Sequence, residues 1–118
     1  MRNITIMMIL LHSLLFAERN LGTLAFQNNE SAILELRSMG NDGLQLLLQK
    51  YQELPLVLRT QKQQQIFDII DRVAGQKHAV FSGLYWYTDI DTAKKVAAQQ
   101  NKPLLLLRLL GRLDEEFC

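Results

Sequence analysis

The side chain best suited to chemistry in this sequence is the thiol of Cys118, which is its only cysteine and its last residue. A cysteine acts as a nucleophile in its thiolate form. The three carboxylates of residues 114–116 stand immediately before it and disfavour the thiolate, unless Arg108 or Arg112 folds close to the sulfur. Cys118 is therefore a candidate catalytic thiol, and a structural cysteine without reactivity is the alternative.

The other residue types that catalyse reactions or bind metals form no recognisable pattern. Adjacent carboxylates at 114–116 do not converge on one point without further ligands, so a solvated acidic turn explains them better than a metal or acid/base site. His12 and His78 each lack a second ligand at a suitable spacing. There is no Gly-x-Ser-x-Gly nucleophile motif and no glycine-rich phosphate loop. We therefore expect no metal site and no cofactor.

Charge and composition argue for a globular chain that does not bind nucleic acid. Of 118 residues, 48% are hydrophobic, which is ordinary for a folded domain. The 13 basic residues nearly balance the 12 acidic ones, and they are scattered singly except for Lys94 and Lys95. A protein that binds the phosphate backbone needs a concentrated basic surface, which this pattern does not provide.

The amino terminus has the pattern of an export signal. Arg2 supplies a positive charge, and the following run 4–17 is apolar except for a threonine, a histidine and a serine. A membrane-spanning helix needs about 20 apolar residues, so this run is short for one. We predict a signal peptide over residues 1–25, with cleavage after Ala25 preferred because Thr23 and Ala25 are small, and Ala17 as the weaker site because Leu15 is large.

Export would place the protein in the periplasm or outside the cell, with no stable membrane span once the signal is removed. Two alternatives stay open for the apolar run. It could be an uncleaved amphipathic or core helix, or it could be retained as a membrane anchor. A single cysteine cannot form an internal disulfide, so an exported chain of this kind would pair Cys118 with another molecule or lack its intended partner.

Three amphipathic helices are predicted in the region 26–80. The first is capped by Asn28 or Asn29 and stops at Gly40, and the second is capped by Asn41 or Asp42 and stops at Pro55. The third has a Thr60-x-x-Gln63 capping box and stops at Gly75. The apolar stripes that these helices must bury are Ile33, Leu34 and Leu36; Leu44, Leu47, Leu48 and Tyr51; and Ile66, Phe67, Ile70 and Val73.

The composition changes in the region 81–118. A break in the helix is predicted at Gly83, and the residues that follow it, Tyr85, Trp86 and Tyr87, are more typical of a core than of a binding platform. Asp89 is a suitable cap for a helix over 90–100. The run 104–110 is nearly continuously apolar, which predicts a strand covered on both faces, although a buried helix fits a leucine-rich run as well.

This carboxy-terminal third resembles the opening of thioredoxin-like domains of secreted bacterial proteins. The resemblance rests on Trp86, Asp89, the helix with Ala93 and Ala97, the sequence Asn101-Lys102-Pro103, and the apolar run after it. The strings Gly83 to Asp89 and Leu109 to Glu116, and the helical residues Leu36 to Gly40 with Gly43 and Leu44, look like an uncharacterised bacterial subgroup of that superfamily.

The resemblance implies a mainly α chain in which a small helical region precedes an incomplete thioredoxin-like β-α-β unit over 81–118. In that superfamily the loop after this strand carries Cys-x-x-Cys, and Cys118 stands where the first cysteine would be. We expect an exported fragment without catalytic activity of its own, whose full-length form could exchange thiols and disulfides. A small extracytoplasmic helical adaptor that binds a protein partner through Cys118 or its amphipathic helices is the alternative.

Overall fold

The computed structural model describes residues 20–107, and within that range the chain is mainly helical and contains no strand. The prediction of a mainly α chain is confirmed. Residues 20–26 belong to helix α1. The helices that follow are α2 (Glu30–Ser38), α3 (Asn41–Glu53), α4 (Leu56–Gln61), α5 (Gln63–Ala74), α6 (Ala79–Ser82) and α7 (Ile90–Gln100). None of the helices in this range is both long and apolar enough to cross a membrane.

Several helix ends form where the sequence predicts them. The Asn29 side chain accepts a hydrogen bond of 3.0 Å from the backbone N–H of Ala32 and so caps α2. Gly75 ends α5 in the left-handed conformation, with φ of 75°. Asp89 caps α7 by accepting a hydrogen bond of 2.7 Å from Thr92. The pKa of the Asp89 carboxyl is lowered because the hydrogen bonds from Thr92 favour its charged form.

Two predicted caps are wrong, and both errors have a local cause. Asn41 is the first residue of α3, and Gly40 occupies the cap position without any side-chain hydrogen bond. Thr60 does not cap α5 because it lies inside α4, where its hydroxyl donates to the carbonyl of Leu56 at 2.8 Å. Pro55 ends α3 as predicted, but its φ of −55° also suits the start of a helix. The additional helix α4 therefore begins before the predicted capping box.

The hydrophobic core forms where α2, α3 and α5 pack on one another. Gly43 allows α2 and α3 to approach closely, since a Cβ at this position would overlap the backbone carbonyl of Leu36. The predicted stripes supply most of this core, but Leu34 is exposed. The largest side chains that are fully buried are Ile33, Leu36, Leu44, Leu47, Ile66, Ile69, Ile70 and Val73.

A buried carboxylate fixes α6 against α5. Asp71 is only 5% exposed, and its two oxygens accept hydrogen bonds from the backbone N–H groups of His78 (3.0 Å) and Ala79 (2.8 Å). These bonds satisfy the carboxylate and the start of α6 together, which offsets the cost of burying a charged group. Asp71 therefore has a structural role in the described fold.

The predicted strand is not formed in the part of it that the structure describes. Residues 104–107 have no regular secondary structure, and residues 108–110 lie outside the described residues. The four side chains Leu104–Leu107, called here the leucine segment, are between 44% and 72% exposed. No backbone hydrogen bond joins them to another residue in the range 20–107, so a strand partner is missing there. The described residues thus do not show the predicted β-α-β unit.

Candidate functional site

The predicted catalytic residue, Cys118, lies outside the described residues, as do Arg108, Arg112 and the acidic residues 114–116. His12 lies outside them too. The structure places the remaining candidate residues, Tyr85, Trp86 and Tyr87, in a stretch without regular secondary structure between α6 and α7. This stretch, residues 84–87, is called here the aromatic segment. It is the part of the described chain that connects the helical core to α7 and to the leucine segment.

Main-chain and arginine hydrogen bonds attach the aromatic segment to the carboxyl end of α5. The N–H of Trp86 donates to the carbonyl of Ala74 at 2.8 Å. The Arg37 guanidinium donates from one nitrogen to the carbonyl of Val73 and from the other to the carbonyl of Trp86, both at 2.8 Å. Carbonyls at a helix end lack partners within the helix, and a cation there is favourable to the helix dipole. Arg37 therefore joins α2, α5 and the aromatic segment at one point.

Tyr85 completes this junction from the other side. Its hydroxyl donates to the backbone carbonyl of Arg37 at 2.9 Å, and the Arg37 guanidinium carbon lies 4.4 Å from the centre of its ring. The rings of Tyr85 and Tyr87 meet edge to face, with centroids 4.9 Å apart. Burial raises the pKa of the Tyr85 phenol, and the opposing charge of Arg37 is the smaller influence. The phenol is consequently protonated at neutral pH and able to donate.

Because Gly75 has no side chain, the Arg37 guanidinium and the Trp86 carbonyl can meet beside it. A Cβ at this position would lie 2.9 Å from both terminal nitrogens of Arg37 and from the carbonyl oxygen of Trp86. The left-handed backbone of Gly75 also disfavours any other residue. The glycine that ends α5 thus serves a second purpose, since it lets the guanidinium reach the helix end.

An open groove lies between the aromatic segment, α7 and the leucine segment. Its volume of about 1240 Å³ exceeds the range of roughly 300–1,000 Å³ typical of a small-molecule pocket. The α7 side of the groove is formed by Ile90, Ala93, Val96 and Ala97, and no residue of α7 is fully buried. The indole N–H of Trp86 is buried and has no hydrogen-bond partner among the described residues. The α7 side of the groove is thus apolar and incompletely buried.

No group of three histidine, cysteine or acidic side chains in residues 20–107 could hold a metal ion. His78 is exposed at the turn before α6, with φ of 60°, and its N–H donates to Asp71. The aromatic residues divide in their environment: Tyr85 packs against the core, Trp86 is half-buried and Tyr87 is exposed. The prediction that these aromatic residues belong to the core is therefore confirmed for Tyr85 but is wrong for Tyr87.

Comparisons with protein-family models, with curated proteins and with solved structures find no match to this chain.

Sequence reasoning did not single out Arg37 or Asp71. For Asp71 a signal is present, because Phe67, Asp71 and Ala74 fall on one helix face and a lone carboxylate among apolar residues indicates a buried partner. For Arg37 the only local signal is its position in the last turn of a helix. Its partners Val73 and Trp86 are 36 and 49 residues away, beyond what any local pattern reveals.

Proposed function

We propose that the protein is an exported thioredoxin-like protein, in which a packed helical region precedes the first β-α-β portion of the domain. In this proposal the aromatic segment and the leucine segment provide the first strands, and α7 provides the helix between them. The chain by itself is not a catalyst. In this proposal, redox chemistry requires the full-length protein with its complete sheet, in which Cys118 is the thiol nucleophile.

The observation that supports the proposal best is the exposure of the leucine segment. Four consecutive leucines that are 44–72% exposed leave a large apolar surface in water, which is unfavourable at about 25 cal/mol per Å². The backbone of the leucine segment also has no hydrogen-bonded neighbour among the described residues, and an apolar strand in that state would be an open sheet edge. Further strands on either side would bury the side chains and pair the backbone. The order of aromatic segment, helix, Lys102-Pro103 and apolar segment is the order that the resemblance to thioredoxin-like domains implies.

The chemistry proposed for the complete protein is thiol–disulfide exchange. The Cys118 thiolate would attack one sulfur of a substrate disulfide, forming a mixed disulfide and releasing the other sulfur as a thiolate. A second thiol, from the substrate or from another protein, would then attack the mixed disulfide and return Cys118 to its reduced form. Because the chain has one cysteine, it cannot supply that second thiol itself.

A disulfide-reductase assay tests the chemical part of the proposal. The 118-residue chain is expected to form a mixed disulfide with oxidised glutathione but to give no turnover with a protein disulfide. Cys118→Ser is the matched control, in which the mixed disulfide should be lost. Turnover comparable to that of a dithiol enzyme would contradict the proposal that the chain is catalytically inert.

Sedimentation tests the proposal that the leucine segment lacks its covering strands. A Cys118→Ser chain should self-associate as its concentration rises, and the further change Leu105→Lys should suppress this association. Leu34→Lys replaces a leucine that is also exposed, but on α2, and should have a smaller effect. A chain that stays monodisperse at high concentration, with no response to Leu105→Lys, would contradict the proposal.

A helical adaptor that binds a protein partner is the second candidate. It is favoured by the apolar surface of α4, where Leu56 is 71% and Val57 is 64% exposed and no residue is buried. An adaptor would have to be stable and monodisperse alone, with Leu104–Leu110 packed on its own helices. The same sedimentation experiment therefore separates the two candidates.

A further inference from the structure

Helix α1 is part of the folded core although it lies in the segment predicted to be removed with an export signal. Ala25 is 0% and Phe26 is 7% exposed, and both belong to the core formed by α2, α3 and α5. Leu21 and Leu24 are partly buried against the same core. The predicted cleavage site after Ala25 therefore separates residues that the fold holds together.

Contacts of α1 with the rest of the chain extend along the whole described helix. A Cβ on Gly22 would lie only 3.1 Å from the side chain of Lys50, so the backbone of α1 runs close to α3. At the other end the N–H of Asn29 donates to the carbonyl of Leu24 at 3.1 Å, which joins α1 to the start of α2. The side-chain amide of Gln65 donates to the carbonyl of Phe26 at 3.4 Å. Loss of α1 would therefore remove contacts with α3 and α5 and take Ala25 out of the shared core.

We propose that the export signal is cleaved after Ala17, so that the mature protein keeps residues 20–25, the described part of α1 that would otherwise be removed, in its domain. Ala17 supplies the small side chain directly before the cut, and polar residues Glu18 to Asn20 follow it, but Leu15, two residues before Ala17, is larger than the usual residue at that position. The burial of Ala25 and Phe26 in the core, rather than the sequence around Ala17, therefore decides between the two sites. A mature chain that starts at Phe26 would lack Leu21, Leu24 and Ala25, whose side chains contribute to a small core with little stability to spare. This inference rests on the proposed export.

The mature amino terminus of the exported protein tests this directly. The full chain is expressed in a bacterial host, the periplasmic and cytoplasmic fractions are separated, and intact mass gives the first residue in each. The expected mature chain starts at Glu18. A start at Phe26, or an exported chain that still begins at Met1, would overturn the proposal. A chain confined to the cytoplasm would refute export itself, whereas an exported chain cut elsewhere would refute only the site.

Two substitutions at the competing sites sharpen the result. Ala17→Gln places a large residue directly before the proposed cut and should cause loss of the mature form. Thr23→Gln places a large residue two positions before Ala25, where it should block only the alternative cut after Ala25. This variant should still be cut to start at Glu18. Mass measured after denaturation reports processing independently of whether either variant folds. The opposite pattern, with processing lost only in Thr23→Gln, would overturn the proposal.

A comparison of the two candidate mature chains provides a second readout. The chain from Glu18 should unfold in one cooperative thermal transition. The chain from Phe26 should melt lower by more than about 10 °C or show no cooperative transition, because it lacks the α1 contacts. Equal melting temperatures would contradict the argument that α1 belongs to the domain.

Discussion

The helical body formed by α1 to α6 contains a core of buried apolar side chains, whereas the region from α7 to the leucine segment has none. In the helical body the stripes of α2, α3 and α5 meet and bury one another, so that residues such as Leu47 and Ile70 are fully buried. In the second region α7 has no fully buried residue, and the leucine segment is exposed. Apolar residues thus stabilise a fold only where a complementary surface is available to cover them.

The junction at Arg37 explains how the two regions stay connected. Hydrogen bonds from its guanidinium to Val73 and Trp86 link the end of α5 to the aromatic segment, which leads into α7. The connection is polar and local, whereas the helical body is held together by a shared apolar core. The two regions should therefore respond differently to substitution.

The largest difference is expected for matched leucine substitutions. Leu47→Ala removes a side chain that is 0% exposed and should lower the free energy of unfolding by about 3 kcal/mol, through lost burial and the cavity left behind. Leu105→Ala removes a side chain that is 72% exposed and should change it by less than about 0.5 kcal/mol. Urea denaturation followed by circular dichroism measures both. Similar losses for the two variants would remove the contrast between the regions.

The next effect concerns the Arg37 junction. Arg37→Met removes both hydrogen bonds to the carbonyls of Val73 and Trp86. It should lower the free energy of unfolding by about 2 kcal/mol, because a charged donor is lost from a partly buried site. Arg72→Met is the control, since the ion pair of Arg72 with Glu30 is largely exposed and should contribute at most about 1 kcal/mol.

A spectroscopic readout localises the effect of Arg37→Met. Trp86 is the only tryptophan, so its fluorescence reports on the aromatic segment, while circular dichroism reports mainly on the helices. In Arg37→Met the fluorescence transition should occur at lower urea than the loss of helix, and in the parent chain the two should lie closer together. Coincident transitions in the variant would mean that the aromatic segment does not depend on Arg37.

The smallest effect is a pH dependence from Tyr85. Its pKa is raised in the folded state, so the folded chain holds the phenolic proton more tightly than the unfolded chain does. The associated stability is present below the unfolded pKa of about 10 and is lost as pH rises through the higher folded value. At pH 8 the free energy of unfolding of Tyr85→Phe should be about 1 kcal/mol lower than that of the parent. The gap should narrow above about pH 10, and a gap independent of pH would contradict this role for the phenol.

Sequence reasoning succeeded where periodicity decides the structure and failed where distant contacts do. The stripes of α2, α3 and α5 follow from helical spacing, and Asn29, Gly75 and Asp89 act at helix ends as their types predict. The start of α5 was misplaced because Pro55 and Leu56 begin a helix that absorbs Thr60.

The aromatic segment and the leucine segment depend on information that lies elsewhere in the chain. The position of Trp86 is set by Ala74 and Arg37, which no pattern near residue 86 reveals. A continuous leucine run favours a buried strand only if neighbouring strands exist, and none lies within residues 20–107. The predicted catalytic site at Cys118 lies outside the described residues, so its role remains part of the proposal.

Hydrogen exchange measured residue by residue tests the contrast between the two regions most directly. The account predicts that amides in the middle of α5, such as those of Ile69 and Ile70, exchange only through global unfolding of the helical body. Amides of Leu104–Leu107 should exchange at nearly the rate of an unfolded chain, measured at a concentration low enough to prevent association. Protection of the leucine segment equal to that of α5 would contradict the account.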